Sequence, residues 1–287
     1  MPRQRVSFCV ISCRGNRLTG SHLCYRMPKG RTEGPVSRWR CLCAYDGTEF
    51  AGWQKQPSGL AVQDKIEEAL GNILGQAVRT VGSGRTDAGV HAQGQVFHFD
   101  APWPHPESAL LQAMRVNFPA GVLAVEIKKA PDDFHALLSA NGKRYRYRVH
   151  RGWAMPEQDR FVYSLKGKAL DLSLIREGMS VLLGEHDFSA FSAKRGDEEE
   201  EESKIREVRK FFLEEKEEEL HFVVEGNGFL YKMVRGLVGA LLDLGAGKLD
   251  ISQLQSILES RQRTEKVVSA PAKGLCLETV FYGEVRA

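Results

Sequence analysis

The chain of 287 residues, 42% hydrophobic and 27% charged, is long and apolar enough to bury a substantial core, as two small domains or one bilobed unit. No apolar run approaches the roughly 20 residues that span a bilayer, which excludes a helical membrane protein, and six cysteines in no paired framework exclude a disulfide scaffold and point to a reducing, cytoplasmic compartment. The net charge of +3 is uneven: residues 1–40 carry nine Lys or Arg against one acid, Glu33, and the rest carry 31 basic and 36 acidic residues, so any surface for a polyanion is a patch.

Residues 1–37 form a basic extension with three readings: an RNA-binding arm, a mitochondrial-type transit segment, or residues preceding a true start at Met27. Cys9, Cys13, His22 and Cys24 within it are too loosely spaced for a structural zinc site, and no metal is expected. Arg40–Tyr45 reads as a strand closing in the Asp46-Gly47 turn, after which Val62, Ile66, Leu70 and Ile73 recur at helical spacing. Ala77–Val81 and Gln95–Phe99 read as short strands, Ala109–Val116 as a helix, and Val122–Lys128 and Lys143–Val149 as strands. The second half again interleaves helices and strands, with a helix over Leu172–Leu183, charged strands near 205–213 and 220–225, a long helix over Phe229–Leu244, and a last strand over Leu275–Phe281. The run Asp197–Glu202 repels itself and predicts a solvated loop away from any anion-binding groove. The class is α+β, with helices laid on a mixed or antiparallel sheet.

The stretch Gly84-Arg85-Thr86-Asp87-Ala88-Gly89-Val90-His91-Ala92 sets one carboxylate beside one guanidinium in a small-residue loop between apolar runs, which is how a chain presents a charged reagent. Its glycines let the backbone turn sharply and let a ligand approach closely. Gly82-Ser83-Gly84 begins like a dinucleotide fingerprint, but the third glycine position is Asp87, whose charge would face a pyrophosphate. The plainer alternative is an Asx-turn in which Asp87 caps backbone amides.

Ser83–Gly94 resembles, almost residue for residue, the active-site loop of the TruA family of tRNA pseudouridine synthases. The likeness continues, in the family's order, through Tyr45-Asp46-Gly47-Thr48-Glu49-Phe50-Ala51-Gly52-Trp53-Gln54, Asp132–Ala136, Lys143-Arg144-Tyr145-Arg146-Tyr147, Gly184–Phe188 and Asn227–Arg235. The resemblance implies two ferredoxin-like subdomains joined into one extended, mainly antiparallel sheet around a central cleft: residues 38–133 carrying Asp87, and residues 134–284 carrying Tyr145 and Arg235. It implies that Asp87 is the catalytic nucleophile, that Tyr145 contacts the target uracil, that Arg235 pairs with the carboxylate, and that Arg85 holds the RNA with its base flipped out. It further implies pseudouridine formation at tRNA positions 38, 39 and 40 in the anticodon stem-loop, no cofactor, and a homodimer whose clefts hold one tRNA across both subunits. The acidic loop after Arg195 and the Ile205-Arg206 stretch depart from the family pattern.

The chemistry fits these residue types. Making pseudouridine breaks the bond from ribose C1′ to uracil N1, rotates the base and rejoins it through C5. C1′ is an anomeric carbon, where glycosidases use an ionised carboxylate. Asp87 serves either by attacking C1′ or by removing the 2′ proton to give a glycal. In a water-poor site such a carboxylate needs a cation beside it, and Arg235, set among Leu230, Val234, Leu237, Val238 and Leu241, needs an anion or a path to solvent. Strand alternation puts Arg144, Arg146 and Arg148 on one face and Tyr145, Tyr147 and Val149 on the other; Tyr145 either stacks on the uracil or accepts the C5 proton, and Tyr147 reads as core. A non-catalytic RNA-binding protein of the same fold is the competing account. A zinc base deaminase is excluded, because the cysteines form no Pro-Cys-x-x-Cys.

Overall fold

The computed structural model describes residues 34–193 and 203–283. The extension through Glu33, with its cysteines, and the acidic run Asp197–Glu202 lie outside the described residues. In chain order the elements are β1 (Val36–Tyr45), α1 (Val62–Leu74), β2 (Val81–Gly82), β3 (His91–Pro102), α2 (Glu107–Asn117), β4 (Val122–Ala130), β5 (Ala140–His150), α3 (Pro156–Asp159), β6 (Tyr163–Ser164), α4 (Leu172–Val181), β7 (Gly184–Asp187), β8 (Ile205–Glu215), β9 (Glu219–Gly226), α5 (Met233–Gly245), α6 (Ile251–Ser260) and β10 (Leu275–Tyr282).

The strands form one sheet in the order β4-β1-β3-β10-β5-β9-β8-β7, with β2 added to β3 and β6 to β5. All pairings are antiparallel except β10 with β3 and β6 with β5, so the fold is α+β with a mixed, mainly antiparallel sheet. The last strand joins the halves. It pairs with β5 from Ala140 to Tyr147 but meets β3 at only two register positions, Cys276↔His91 and Leu277↔Ala92. The candidate site lies at this short seam.

Alternation decides which face of each strand is buried. Trp39, Cys41, Cys43 and Tyr45 of β1 point into the core, as do Ile66, Leu70 and Ile73 of α1. The arginines of β5 take the other face, where cross-strand carboxylates neutralise them: Arg144 with Glu225, Arg146 with Glu214 and Glu278, Arg148 with Glu219.

Two sequence expectations need correction, and one element was not expected at all. Residues 77–80 form no strand; only Val81–Gly82 pair with β3. Side chains of α1 take the hydrogen bonds a partner strand would have supplied, since Thr80 donates its N–H to Glu67 Oε1 and accepts from Gln63 Nε2. The last long helix starts at Met233 and not at Phe229, because Lys232 adopts the left-handed region (φ 59°) and residues 227–232 turn to wall the cleft. Helix α6 is an element the apolar pattern does not announce, although Asp250 and Gln253 form a capping box at its start.

A buried histidine makes stability pH-dependent. His98 Nδ1 accepts the Ala136 N–H at 3.1 Å and so must be unprotonated, and burial, then the charges of Arg38 and His135, push its pKa down to about 4. Unfolded chains bind this proton below about pH 6.5, so stability is lost as pH falls from there toward 4. Thermal unfolding from pH 7.5 to 4.5 is expected to fall more steeply for wild type than for His98→Asn, which accepts the same bond without titrating; parallel curves would contradict this.

Candidate active site

The Asp87 loop is held from behind by the Tyr45–Gln54 segment. Trp53 N–H donates to Thr86 O (3.0 Å), Gly89 N–H to Phe50 O (3.4 Å), and the Tyr45 and Thr86 hydroxyls bond at 2.9 Å. From β3, the fully buried Gln95 donates to Gly84 O (3.0 Å) and accepts from Ser83 Oγ (2.7 Å). Two glycines permit this contact. A Cβ at Gly47 would meet Val90 O at 2.0 Å, and one at Gly52, where φ is +87°, would meet Thr86 O at 2.6 Å. Gly52→Ala is therefore expected to cost roughly 1 to 3 kcal/mol and to lower turnover by displacing Asp87. Thermal unfolding alongside an isomerisation assay checks this, and unchanged values in both would count against the loop's dependence on this contact.

The Asp87 side chain does not cap amides. Its Oδ2 accepts from Arg235 Nη1 at 2.8 Å, with the two side chains only 12% and 15% exposed, and a backbone turn from Val90 N–H to Asp87 O (3.1 Å) shapes the loop. Among the described residues Asp87 Oδ1 takes no hydrogen bond. Arg235 is anchored a second time, its Nε donating to Ala270 O at 2.7 Å, and the loop bearing that carbonyl is tied down by Tyr147 Oη to Pro271 O (2.9 Å) and by Arg263 to Val267 O (3.0 Å). Gly239 lets this loop lie against α5, since a Cβ there would meet Val268 O at 1.9 Å. The guanidinium is thus locked in place before any ligand arrives.

A cleft of about 490 Å³ opens over this pair, walled by Val90, Leu230, Val234 and Leu275 and carrying Arg85, Lys143, Tyr145 and Phe229. Such a volume and mixed lining suit a small ligand. Tyr145 is buried and meets Phe229 edge-on, ring centroids 5.3 Å apart at 88°. Burial, then the Asp87 charge, pushes the Tyr145 phenol far above its ordinary pKa, so it remains a protonated, uncharged aromatic wall at neutral pH. Arg85 is exposed on the loop and donates from Nε to Gln54 Oε1 at 3.1 Å.

The structure therefore brings Asp87, Tyr145 and Arg235 into one cleft and sets Arg85 on its edge. Sequence reasoning missed the supporting parts: Gln95, an amide on the inward side of an apolar strand, was a readable signal, whereas the Ala270 carbonyl has no side-chain signature. Among the described residues no group of three or more His, Cys, Asp or Glu has a metal-binding arrangement, and no helix is long and apolar enough to cross a membrane.

A family model described as tRNA pseudouridine synthase matches residues 179–283. Relatives named tRNA pseudouridine synthase A include those of Exiguobacterium sibiricum, 38% identical over 249 residues (87% of this chain, 98% of the relative), and Syntrophotalea carbinolica, 40% over 244 residues (85% and 95%). That of Halalkalibacterium halodurans is 42% identical over 234 residues, covering 81% of this chain and 88% of the relative. Likeness of this extent over most of both chains assigns this one to the tRNA pseudouridine synthase A family.

Proposed function

We propose that this isomerase converts uridine to pseudouridine at positions 38, 39 and 40 of the tRNA anticodon stem-loop, with Asp87 as the nucleophile. The observation that carries the reading is the Asp87–Arg235 pair at the floor of an aromatic-walled cleft. The target uridine leaves its stack to reach the cleft, as base-modifying enzymes require, and Tyr145 packs on the uracil, a contact worth roughly 1 to 3 kcal/mol. An Asp87 oxygen bonds C1′ as the C1′–N1 bond breaks and its electron pair passes to the uracil. The base rotates, C5 bonds C1′ as the carboxylate leaves, and the C5 proton passes to solvent, which restores aromaticity. The raised pKa of Tyr145 supports a stacking role over one as proton acceptor. Arg235 offsets the carboxylate's charge in low dielectric, and Arg85, on the rim, occupies the space the base vacates or meets a phosphate.

On the same reading the subdomains are residues 38–133 and 134–284, the working unit is a cytoplasmic homodimer, and no cofactor takes part. The chemistry described needs only Asp87, a cation and a binding wall. The test is carbodiimide-dependent primer-extension mapping of unmodified tRNA transcripts after incubation with the protein. Stops at 38 to 40 are expected. Stops elsewhere in the tRNA would overturn the position, and their complete absence with retained tRNA binding would favour a non-catalytic RNA-binding protein.

A further inference from the structure

The cleft contains a cation on β5 for which the reaction above has no use. Lys143 enters on β5 two residues before Tyr145, on the same face of the strand. Its strand neighbours Arg144, Arg146 and Arg148 all reach carboxylates on the opposite face, while the Lys143 ammonium has no hydrogen-bond or ion-pair partner among the described residues. It lies directly against the Asp87 loop, where Gly84 makes room: a Cβ at that position would meet Lys143 Nζ at 2.6 Å. Among the described residues the charged and titratable groups facing it are Arg85 and Asp87 from the loop, Tyr145 from its own strand, Arg206 from β8, Tyr231 and Lys232 from the segment leading into α5, and Arg235 from α5 itself. The single acid in this set, Asp87, is already held by Arg235.

An ammonium taken from water and set among cations costs free energy that a neutral uracil carbonyl does not offset. A permanently charged oxyanion does. Residues two apart on a strand stand about 6.5 Å apart, the scale on which a nucleotide separates its base from its own phosphate. We propose that Lys143 is a substrate-positioning residue whose ammonium receives a backbone phosphate of the flipped-out nucleotide while Tyr145 receives its base. This rests on the cleft being the RNA site.

The consequence is specific to a lysine. Burial, with the Arg206 charge adding to it, brings its pKa down to about 8. Phosphate binding requires the protonated form, so affinity for tRNA weakens as pH rises above that value.

The test measures Kd for an unmodified anticodon stem-loop against pH and salt, using wild type, Lys143→Met and Lys143→Arg, with thermal midpoints to confirm folding. Lys143→Met is expected to bind roughly 10- to 100-fold more weakly, with a log–log salt slope reduced by about one and the loss of affinity above pH 8 abolished. Lys143→Arg is expected to bind tightly with no pH dependence in that range, since a guanidinium stays charged. Lys143→Met with unchanged Kd, salt slope and pH profile but reduced single-turnover rate would overturn the proposal and place the ammonium at the reacting base. Because the readout is binding, failure of the isomerisation reading appears separately, as a wild type that binds the stem-loop and makes no pseudouridine.

Discussion

Asp87→Asn is expected to release no tritium from tRNA labelled at uridine C5, with the rate falling by on the order of 10⁴-fold or more, as removal of a nucleophile does. The substitution is nearly isosteric. Its amide oxygen still accepts from Arg235 Nη1, so the pair that fixes α5 to the loop remains as a hydrogen bond in place of the 2.8 Å ion pair. Folding and tRNA affinity are therefore expected to change little, and the loss to fall on the chemical step alone. A variant retaining more than a few per cent of the wild-type rate would remove Asp87 from the reaction.

Removing the other partner has a different signature. Arg235→Leu leaves the Asp87 carboxylate, 12% exposed, beside an apolar helix without the guanidinium hydrogen-bonded to it that offsets its desolvation. Breaking a largely buried pair from one side costs about 3 kcal/mol or more, which for a chain of this size lowers the unfolding midpoint by roughly 6 to 12 °C. Turnover falls with it. The double variant Asp87→Leu/Arg235→Leu removes both charges and is expected to recover most of the lost stability, while remaining inactive. A double variant no more stable than Arg235→Leu alone would show that the cost arises from packing around Ala270 and not from the stranded charge.

The parts of the site carried by charged side chains were legible before the fold was. Arg235 is 148 positions from Asp87; its setting among Leu230, Val234, Leu237 and Val238 left an anion or a path to solvent open, and it was the family resemblance that pointed to Asp87. Alternation along β5 likewise put Tyr145 and the arginines on opposite faces. What was not legible depended on groups with no sequence signature. The Ala270 carbonyl that anchors Arg235 is backbone, and its position is set by the close approach of Gly239 to a loop some thirty residues away. Phe229 and Leu230 continue the apolar period of α5 but are spent on the cleft wall, so the pattern overran the true start at Met233. Residues 77–80 had the composition of a strand, and tertiary hydrogen bonds from Gln63 and Glu67 displaced the ladder. Lys143 looked like one base in a basic strand until its neighbours' partners were known.

If Asp87 stands at C1′ of an extruded uridine, the most direct measurement is the structure of the Asp87→Asn variant bound to an unmodified anticodon stem-loop, in which turnover cannot clear the site. The expected result is a uridine flipped into the cleft against Tyr145, its C1′ within about 3.5 Å of the carboxamide that replaces the Asp87 carboxylate, the separation of a near-attack arrangement. A stem-loop bound with its uridines stacked in the helix, or with a different carboxylate at the sugar, would contradict it.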